Sequence, residues 1–371
     1  MSKLFSPLAI RGVTLPNRIV VSPMCQYCAE DGKATSWHLT HLGQLALSGA
    51  GMLCIESTSV EPAGRITPGD LGLWDDATEA AFKPVFAVIR KHSKILVTLQ
   101  LAHAGRKASS HEPWNGGQLI PISDGGWETY APSGIAHKEG ETPPVALTKA
   151  DLPRLRDAFV ASTARAVRLG VDAIELHGGH GYLIHQFLSP ISNKRIDEYG
   201  GSLENRMRFP LEVFDTIRAE VPADKPVGVK VSATDWIEGG WSVDQTIAFA
   251  GELKQRGVDW ISVSSGGISP RQKIALGPGY QVPFAQAVKK AVGVNTVAVG
   301  LITRAPQAEQ VVASGQADQV ALARAMLYDP RWGWHAAAEL GATIGDAPPS
   351  YWRAPPHEHS ALFRQAGHGA R

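Results

Sequence analysis

The chain contains few cysteines, almost no charge imbalance and no long hydrophobic run. Among 371 residues there are 3 cysteines, and 36 Lys and Arg residues face 35 Asp and Glu residues. So few cysteines do not form a disulfide framework, which indicates a reducing compartment, and we expect a cytoplasmic protein. The balanced charge argues against nucleic acid or an anionic membrane as partner. The apolar runs are too short to span a bilayer, and the first residues lack the apolar core of a signal peptide.

Several cofactor motifs are absent from the sequence as well. No Gly-x-Gly-x-x-Gly motif follows an early strand, which argues against an open dinucleotide-binding sheet. No Walker-type Gly-Lys-Thr motif is present, so a nucleoside triphosphate is not expected as ligand. A cysteine-rich segment for an iron–sulfur cluster is missing too.

What the chain does contain is a weak repeat of an amphipathic stretch, a glycine and a short apolar strand. Glycine ends a helix cheaply in the left-handed conformation, and strands that are apolar throughout are typical of a parallel sheet buried on both faces. Alternation of such strands with helices favours an α/β fold, the closed (β/α)₈ or TIM barrel, over an open doubly wound sheet. The predicted strands lie at residues 18–23, 52–56, 95–100, 171–177, 227–233, 258–264, 295–300 and 317–324.

Two segments depart from this repeat. Residues 107–147, after the third strand, are rich in Gly, Pro and Trp, and so long a loop inside a compact domain usually covers a site. Residues 346–371 form a tail that we expect to be either disordered or docked on a neighbouring subunit. We therefore predict one barrel domain over residues 1–345, with a capping segment at 107–147.

The most informative residues follow the fourth predicted strand. His177, His180 and Tyr182 stand where this apolar run gives way to glycines. Two neutral imidazole N–H groups can hold one oxygen atom, and a phenol can deliver a proton. Because catalytic groups of such barrels lie at the carboxyl ends of the strands, these residues predict a site that polarises a carbonyl and protonates a neighbouring carbon.

The other strand ends suggest a flat, phosphorylated cofactor. Gly300 permits close backbone approach and Arg324 can bind phosphate, at the two strands where barrels often hold phosphate. Gln100 can pair with the pyrimidine edge of a flavin, and Lys230 can balance negative charge on the reduced ring. Flavin mononucleotide (FMN) fits this arrangement.

Two metal hypotheses stay open at this point. Cys25, Cys28, His38 and His41 superficially match a Cys₂His₂ zinc set, although their spacing differs from the zinc-finger pattern. A metal-dependent barrel hydrolase could instead use His177 and His180, but it would need further ligands from other strand ends. We expect no metal site.

The motifs along nearly the whole chain resemble the Old Yellow Enzyme family of flavin-dependent ene-reductases, and most of all its bacterial xenobiotic-reductase or thermophilic-like branch. They are NRI (17–19), SPMCQY (22–27), GRI (64–66), QLAHAGRK (100–107), HGGHGYL (177–183), DEYGGSLENR (197–206), VGLIT (299–303) and AR (323–324).

This resemblance implies an enzyme that oxidises NADPH or NADH and reduces C=C bonds conjugated to carbonyl or nitro groups. Hydride would pass from flavin N5 to the β-carbon, His177 and His180 would bind the carbonyl oxygen, and Tyr182 would protonate the α-carbon. Cys25 and Tyr27 would line the substrate site, and Arg353 would reach it from the neighbouring subunit of a homodimer or homotetramer. The implied FMN contacts are Ser22, Pro23, Met24, Cys25, Ser57, Gln100, His177, Lys230, Gly300, Ala323 and Arg324.

The chain departs from the family pattern at two cofactor positions. Position 230 is Lys where many relatives have Arg, so a point charge replaces a planar fork. Ala323 stands where Gly often precedes the phosphate-binding Arg. Neither departure removes the positive charge that a phosphorylated flavin requires.

Overall fold

The computed structural model describes residues 2–363, and parallel strands close into a barrel at its centre. Each strand pairs with the next along the chain, and the first pairs with the last, so the predicted TIM barrel is confirmed. Its strands are β1 (Ile19–Val21), β2 (Met52–Ser59), β3 (Leu96–Ala102), β4 (Ala173–Gly178), β5 (Val227–Ser232), β6 (Trp260–Ser264), β7 (Asn295–Ala298) and β8 (Gln319–Leu322).

Helices between the strands pack their apolar faces against the barrel. Phe82, Phe159, Phe214 and Phe249 lie on four of these helices and are fully buried in one hydrophobic core. The helices are α1 (Ser36–Ala46), α2 (Asp76–His92), α3 (Leu152–Arg168), α4 (Leu183–Leu188), α5 (Leu203–Glu220), α6 (Val243–Gln255), α7 (Val282–Val292), α8 (Ala305–Ala313), α9 (Arg324–Tyr328) and α10 (Trp332–Glu339).

The helix starts follow local side-chain chemistry. The side chains of Thr35, Asp75, Ser202 and Ser242 accept hydrogen bonds from backbone N–H groups in the first turns of α1, α2, α5 and α6. These bonds satisfy amide groups that have no partner inside the helix. At α3, which begins at Leu152, Pro153 occupies the first turn, where its missing N–H has no partner inside the helix to lose.

An antiparallel hairpin closes the amino-terminal end of the barrel. Leu8–Ile10 pairs with Val13–Leu15. Ile10 and Leu15 pack against the first residues of several barrel strands, including Met52. The hairpin therefore covers the amino-terminal end of the barrel, and ligands can bind at the opposite, carboxyl end.

The segment 107–147 covers part of that carboxyl end, as predicted. Within it Tyr130–Ala131 pairs with Val145–Ala146. The indole N–H of Trp127 donates to the backbone oxygen of Ala63, in the connection after β2, at 3.1 Å. Arg106, at the start of the segment, donates to the backbone oxygen of Ile268 after β6 at 2.6 Å. These bonds anchor the start and middle of the cap to connections on two sides of the barrel mouth.

The carboxyl-terminal segment packs on its own chain as far as it is described. Leu362 and Phe363 are buried against Trp334 of α10, and Phe363 forms a β-bridge with Ile344. Arg353 is exposed within this segment. Residues 364–371 of the predicted tail lie outside the described residues. Between residues 2 and 363, no helix has the length and apolar character needed to cross a bilayer.

Candidate active site

His177, His180 and Tyr182 meet at the carboxyl end of β4. The two imidazole rings lie 5.1 Å apart and nearly perpendicular, and the Tyr182 ring lies 5.0 Å from His177. The turn that carries them needs glycine at 181, since a Cβ there would lie 2.0 Å from the backbone oxygen of Gly267. His180 itself has a left-handed φ of 56°, and its N–H donates to the Ser232 hydroxyl at 2.8 Å. The chain thus turns sharply and directs three polar rings to one place.

The two histidines direct neighbouring ring nitrogens at the same point. His177 Nε2 and His180 Nδ1 lie 3.4 Å apart. The N–H of Gly179 donates to His177 Nδ1 at 3.2 Å, so the proton of this neutral ring belongs on Nε2. His180 Nε2 lies 2.7 Å from the Ser264 hydroxyl, which donates to Gln281 Oε1 at 3.2 Å. His180 Nδ1 carries the proton in the other tautomer, in which this hydroxyl turns to donate to Nε2. Two N–H groups can then converge on one acceptor oxygen.

Burial keeps both imidazoles neutral. It lowers the pKa of His177 and of His180 well below the ordinary value of 6.5, and the nearby ammonium groups of Lys230 and Lys107 lower both further. Because neutral imidazole is the stable form here, each ring keeps one N–H donor and one acceptor nitrogen at neutral pH.

Tyr182 keeps its proton for the same physical reason. Burial raises the pKa of its phenol well above 10.0, and the nearby Cys25, Tyr27 and Asp70 raise it further. On its open side Lys107 Nζ lies 4.9 Å from the centre of the Tyr182 ring and donates to the backbone oxygen of His180 at 2.9 Å. Tyr182 is therefore a protonated phenol held between an imidazole and an ammonium group.

Cys25 and Tyr27 join Tyr182 in an apolar wall. All three side chains pack against one small buried cluster, which consists of Ile66, Ala104 and Ala108. Burial, with Asp70 and Glu56, raises the pKa of the Cys25 thiol, so it is uncharged. The edge of Tyr27 meets Trp114 of the capping segment at 5.7 Å. The cap and the barrel strands therefore share this wall.

Gln100 and Lys230 lie at the inner face of the barrel mouth. Gln100 is 2% exposed and Lys230 is 5% exposed. Gln100 stands opposite Glu175 in the strand ladder, and Lys230 stands opposite His177. Ser57 lies in an irregular stretch of β2 and donates its backbone N–H to Cys25. These residues therefore lie near the mouth of the barrel, where the flat ring of a cofactor could bind.

A cavity of about 230 Å³ opens beside the ends of β7 and β8. Gly300 has a φ of 109°, which favours glycine, and a Cβ at this position would lie 2.9 Å from Gln281 Nε2. Ala323 has a φ of −106°, so its backbone does not require the glycine common in relatives. The lining residues include Ser22, Pro23, His180, Lys230, Ser264, Tyr280, Gln281, Gly300, Ala323 and Arg324.

These residues fit FMN. The cavity extends from Lys230 and His180 at the barrel mouth to Arg324 at the start of α9, so one lining holds a ring-side cation and a phosphate-side cation. A second cavity, of about 180 Å³, lies between the barrel and the cap and is lined by Tyr27, Lys107 and Tyr182. The pair suits a cofactor on one side and a substrate on the other.

The metal hypotheses receive no support. In the described part of the chain, no three His, Cys, Asp or Glu side chains are grouped to hold an ion. Glu56, a buried carboxylate on β2, accepts the N–H of Gln26 at 2.8 Å and lies 3.7 Å from His38 Nε2. It belongs to the wall behind Cys25 rather than to the histidine pair.

The structure adds residues that the sequence analysis missed. Ser264 ends β6 and could have been found by the same strand-end rule that identified Lys230. Tyr280 and Gln281 come from the connection after β6, whose path no local pattern reveals. Lys107 was part of a motif, but its contact with Tyr182 depends on the folded cap. Arg353, in contrast, is exposed and forms no hydrogen bond or ion pair with this site among residues 2–363.

Comparisons with known proteins identify the family. Residues 3–342 match the model of the NADH:flavin oxidoreductase / NADH oxidase family. An NADH:flavin oxidoreductase of Gibberella zeae is 46% identical over 361 residues, covering 92% of this chain and 87% of that protein. An NADPH dehydrogenase of Geobacillus is 45% identical over 343 residues, covering 92% and 95%.

Solved structures give the same result. Morphinone reductase superposes with a TM-score of 0.76 at 26% identity, covering 100% of this chain and 98% of that one. A complex of 2-naphthoyl-CoA reductase superposes with a TM-score of 0.81 at 25% identity. The match covers 92% of this chain but only 52% of that longer protein.

Fold, cavity and relatives define an FMN-dependent oxidoreductase that uses a nicotinamide as reductant. The chain belongs to the NADH:flavin oxidoreductase / NADH oxidase family and is a member of the Old Yellow Enzyme group within it.

Proposed function

We propose that this enzyme reduces carbon–carbon double bonds conjugated to a carbonyl or nitro group. The observation that carries the proposal is the convergence of His177 Nε2 and His180 Nδ1, 3.4 Å apart, beside a protonated phenol. This set of groups matches the demands of conjugate reduction, in which an oxygen gains charge while a carbon accepts a proton.

The histidine pair holds the acceptor oxygen. Gly179 fixes the N–H of His177 on Nε2, and His180 adds a second N–H donor in its Nδ1-protonated tautomer, so that both meet the negative charge that develops on this oxygen. Such preorganised donors stabilise a developing oxyanion, typically by ~3–4 kcal/mol per donor. Because both rings are buried and neutral, neither introduces a charge into the substrate-free site.

Tyr182 supplies the proton. Its phenol retains the proton at neutral pH, yet it can protonate the α-carbon of an enolate, which is a stronger base. Lys107, with its ammonium over the ring, stabilises the phenolate that remains until solvent replaces the proton.

The cofactor residues fall into two groups. Arg324 and Gly300 would hold the FMN phosphate, while Gln100 and Lys230 would contact the ring from the barrel mouth, with Ser22, Pro23, Met24, Cys25, Ser57 and Ala323 completing the set. When bound, FMN supplies the hydride that it has received from NADPH or NADH. The chain's part is to hold the alkene against the ring and to exclude water with the cap.

Turnover of 2-cyclohexenone by the FMN-loaded protein tests this proposal. With NADPH and no oxygen, we expect cyclohexanone to form in equal amount to the NADPH consumed. Cyclohexene, which has no carbonyl for the histidines, is the matched control and should not react. NADPH oxidation without any product saturated at the C=C bond, across enones, maleimides and nitroalkenes, would refute it.

We further propose a homodimer or homotetramer in the cytoplasm, with Arg353 completing a neighbouring subunit's substrate site. The support is that Arg353 is exposed on a segment packed against α10. Arg353→Ala should raise KM for enones while leaving FMN reduction by NADPH unchanged. An unchanged KM would remove Arg353 from the site.

A further inference from the structure

A buried carboxylate lies inside the barrel beneath the proposed flavin site. Glu175, on β4, is 3% exposed and stands opposite Gln100 in the strand ladder. It has no role in the reaction described so far. Within residues 2–363 it forms no ion pair, although burying a carboxylate is costly without partners.

Its partners are hydrogen-bond donors from three other strands. Glu175 Oε1 accepts from Gln100 Nε2 at 2.8 Å and from the Cys54 thiol at 3.9 Å. Glu175 Oε2 accepts from the Ser262 hydroxyl at 2.6 Å and from the Trp260 indole N–H at 3.2 Å. Amide and indole N–H groups cannot accept in return, so the arrangement suits an ionised, acceptor-only carboxylate.

This arrangement determines which end of the Gln100 amide faces the cofactor. Because Gln100 Nε2 is bound to Glu175, its oxygen Oε1 is left without a partner in the described part of the protein. The pyrimidine edge of a flavin presents one N–H between two carbonyl oxygens. A fixed amide oxygen accepts from that N–H, whereas a freely rotating amide would present the wrong group half of the time.

We propose that Glu175 is a positioning residue that locks the Gln100 amide for FMN and makes the bound flavin harder to reduce. The inference rests on the FMN site of the proposed function. Its electrostatic part follows because reduction adds negative charge to the ring and Glu175 places a buried negative charge nearby. Loss of that charge should therefore make reduction easier.

Two substitutions separate these effects. Glu175→Gln removes the charge and offers Gln100 an N–H group as well as an oxygen. We expect weaker FMN binding, by about tenfold for one misplaced hydrogen bond, and a less negative midpoint potential. Glu175→Asp keeps the charge but withdraws it by one methylene, so FMN binding should weaken while the midpoint potential stays close to wild type.

A double-mutant cycle tests whether Glu175 acts through Gln100. Apoprotein of each variant is titrated with FMN, and binding is followed by quenching of flavin fluorescence. Glu175→Gln should weaken binding about tenfold when Gln100 is present and less than threefold in the Gln100→Ala background. Ser262→Ala, which removes another donor from the same carboxylate, is the packing control and should have the smaller effect.

Each outcome of these experiments either supports or overturns the inference about Glu175. An equal loss of FMN affinity in both backgrounds, or unchanged midpoint potential in Glu175→Gln, would overturn the inference. Should Glu175→Gln fail to fold, Glu175→Asp with wild-type affinity would overturn it as well. If the wild-type protein reduces no alkene, yet the Glu175 variants show these shifts in FMN binding and potential, the proposed reaction is refuted while the role of Glu175 is supported.

Discussion

Replacement of Tyr182 by Phe removes one hydroxyl and little else. The ring can still pack perpendicular to His177, whose ring centre lies 5.0 Å away, and still face Lys107 at 4.9 Å. The orientation of the two imidazole rings does not depend on the Tyr182 hydroxyl, because the rings are held by Gly179 and Ser264. The variant therefore tests proton delivery with oxygen binding left intact.

The expected magnitude follows from the role of a positioned acid. Such a group typically contributes ~10²–10⁴ in rate. This corresponds to about 3–5 kcal/mol of transition-state stabilisation. Burial makes replacement by bulk water inefficient here, since the Tyr182 phenol is enclosed by Cys25, Tyr27 and the cap. We therefore expect alkene reduction to fall by at least about a hundredfold.

Anaerobic stopped-flow measurements separate the two half-reactions. Bleaching of the flavin by NADPH should proceed in Tyr182→Phe within about threefold of wild type, because no proton passes from Tyr182 in this step. Reoxidation of the reduced flavin by 2-cyclohexenone should be slow. If reoxidation keeps its wild-type rate with enones, maleimides and nitroalkenes alike, Tyr182 is not the acid.

Three further predictions concern the histidines and the phosphate end. His177→Ala should weaken binding of phenolic ligands, which mimic the enolate, by about 10–100-fold, since one hydrogen bond to a charged group is worth ~1.5–3 kcal/mol; an unaltered spectral titration would contradict the oxygen-binding role. Because burial lowers the pKa of His177 and His180 below 6.5, the unfolded chain binds protons there that the native protein does not. Their contribution to the free energy of unfolding should thus decline as pH falls below about 6.5 and stay constant above it, and urea titrations of wild type and His177→Asn should converge at low pH. Arg324→Ala should weaken FMN binding but leave riboflavin, which lacks the phosphate, unaffected; equal losses for both ligands would place the phosphate elsewhere.

The barrel, and the polar residues that it brings to its carboxyl end, could be predicted from the sequence for a physical reason. Parallel strands are buried on both faces, so each appears as an apolar run, and polar residues at its carboxyl end stand out. His177, Gln100, Lys230 and Arg324 were found in this way. The strand ends differ from the prediction: the first strand was predicted over residues 18–23, and β1 spans Ile19–Val21, after which Ser22 lines the cavity.

Features that depend on long-range packing could not be predicted. The path of the cap rests on single contacts such as Trp127 with Ala63, which no local pattern encodes. Glu175 was predicted only as one residue of an apolar strand, because the groups that donate hydrogen bonds to its carboxylate lie on three other strands. Lys230 and Ala323, which differ from the family pattern, were identified from the sequence. Only the backbone angles show that Ala323 does not adopt the left-handed conformation that favours glycine.

The most direct test of the account is a single turnover without oxygen. Protein loaded with FMN is bleached by one equivalent of NADPH and then mixed with 2-cyclohexenone. We predict that the yellow absorbance returns fully and that one cyclohexanone forms per flavin. A flavin that stays bleached in the presence of every activated alkene tested, and recovers its colour only when air is admitted, would contradict the account.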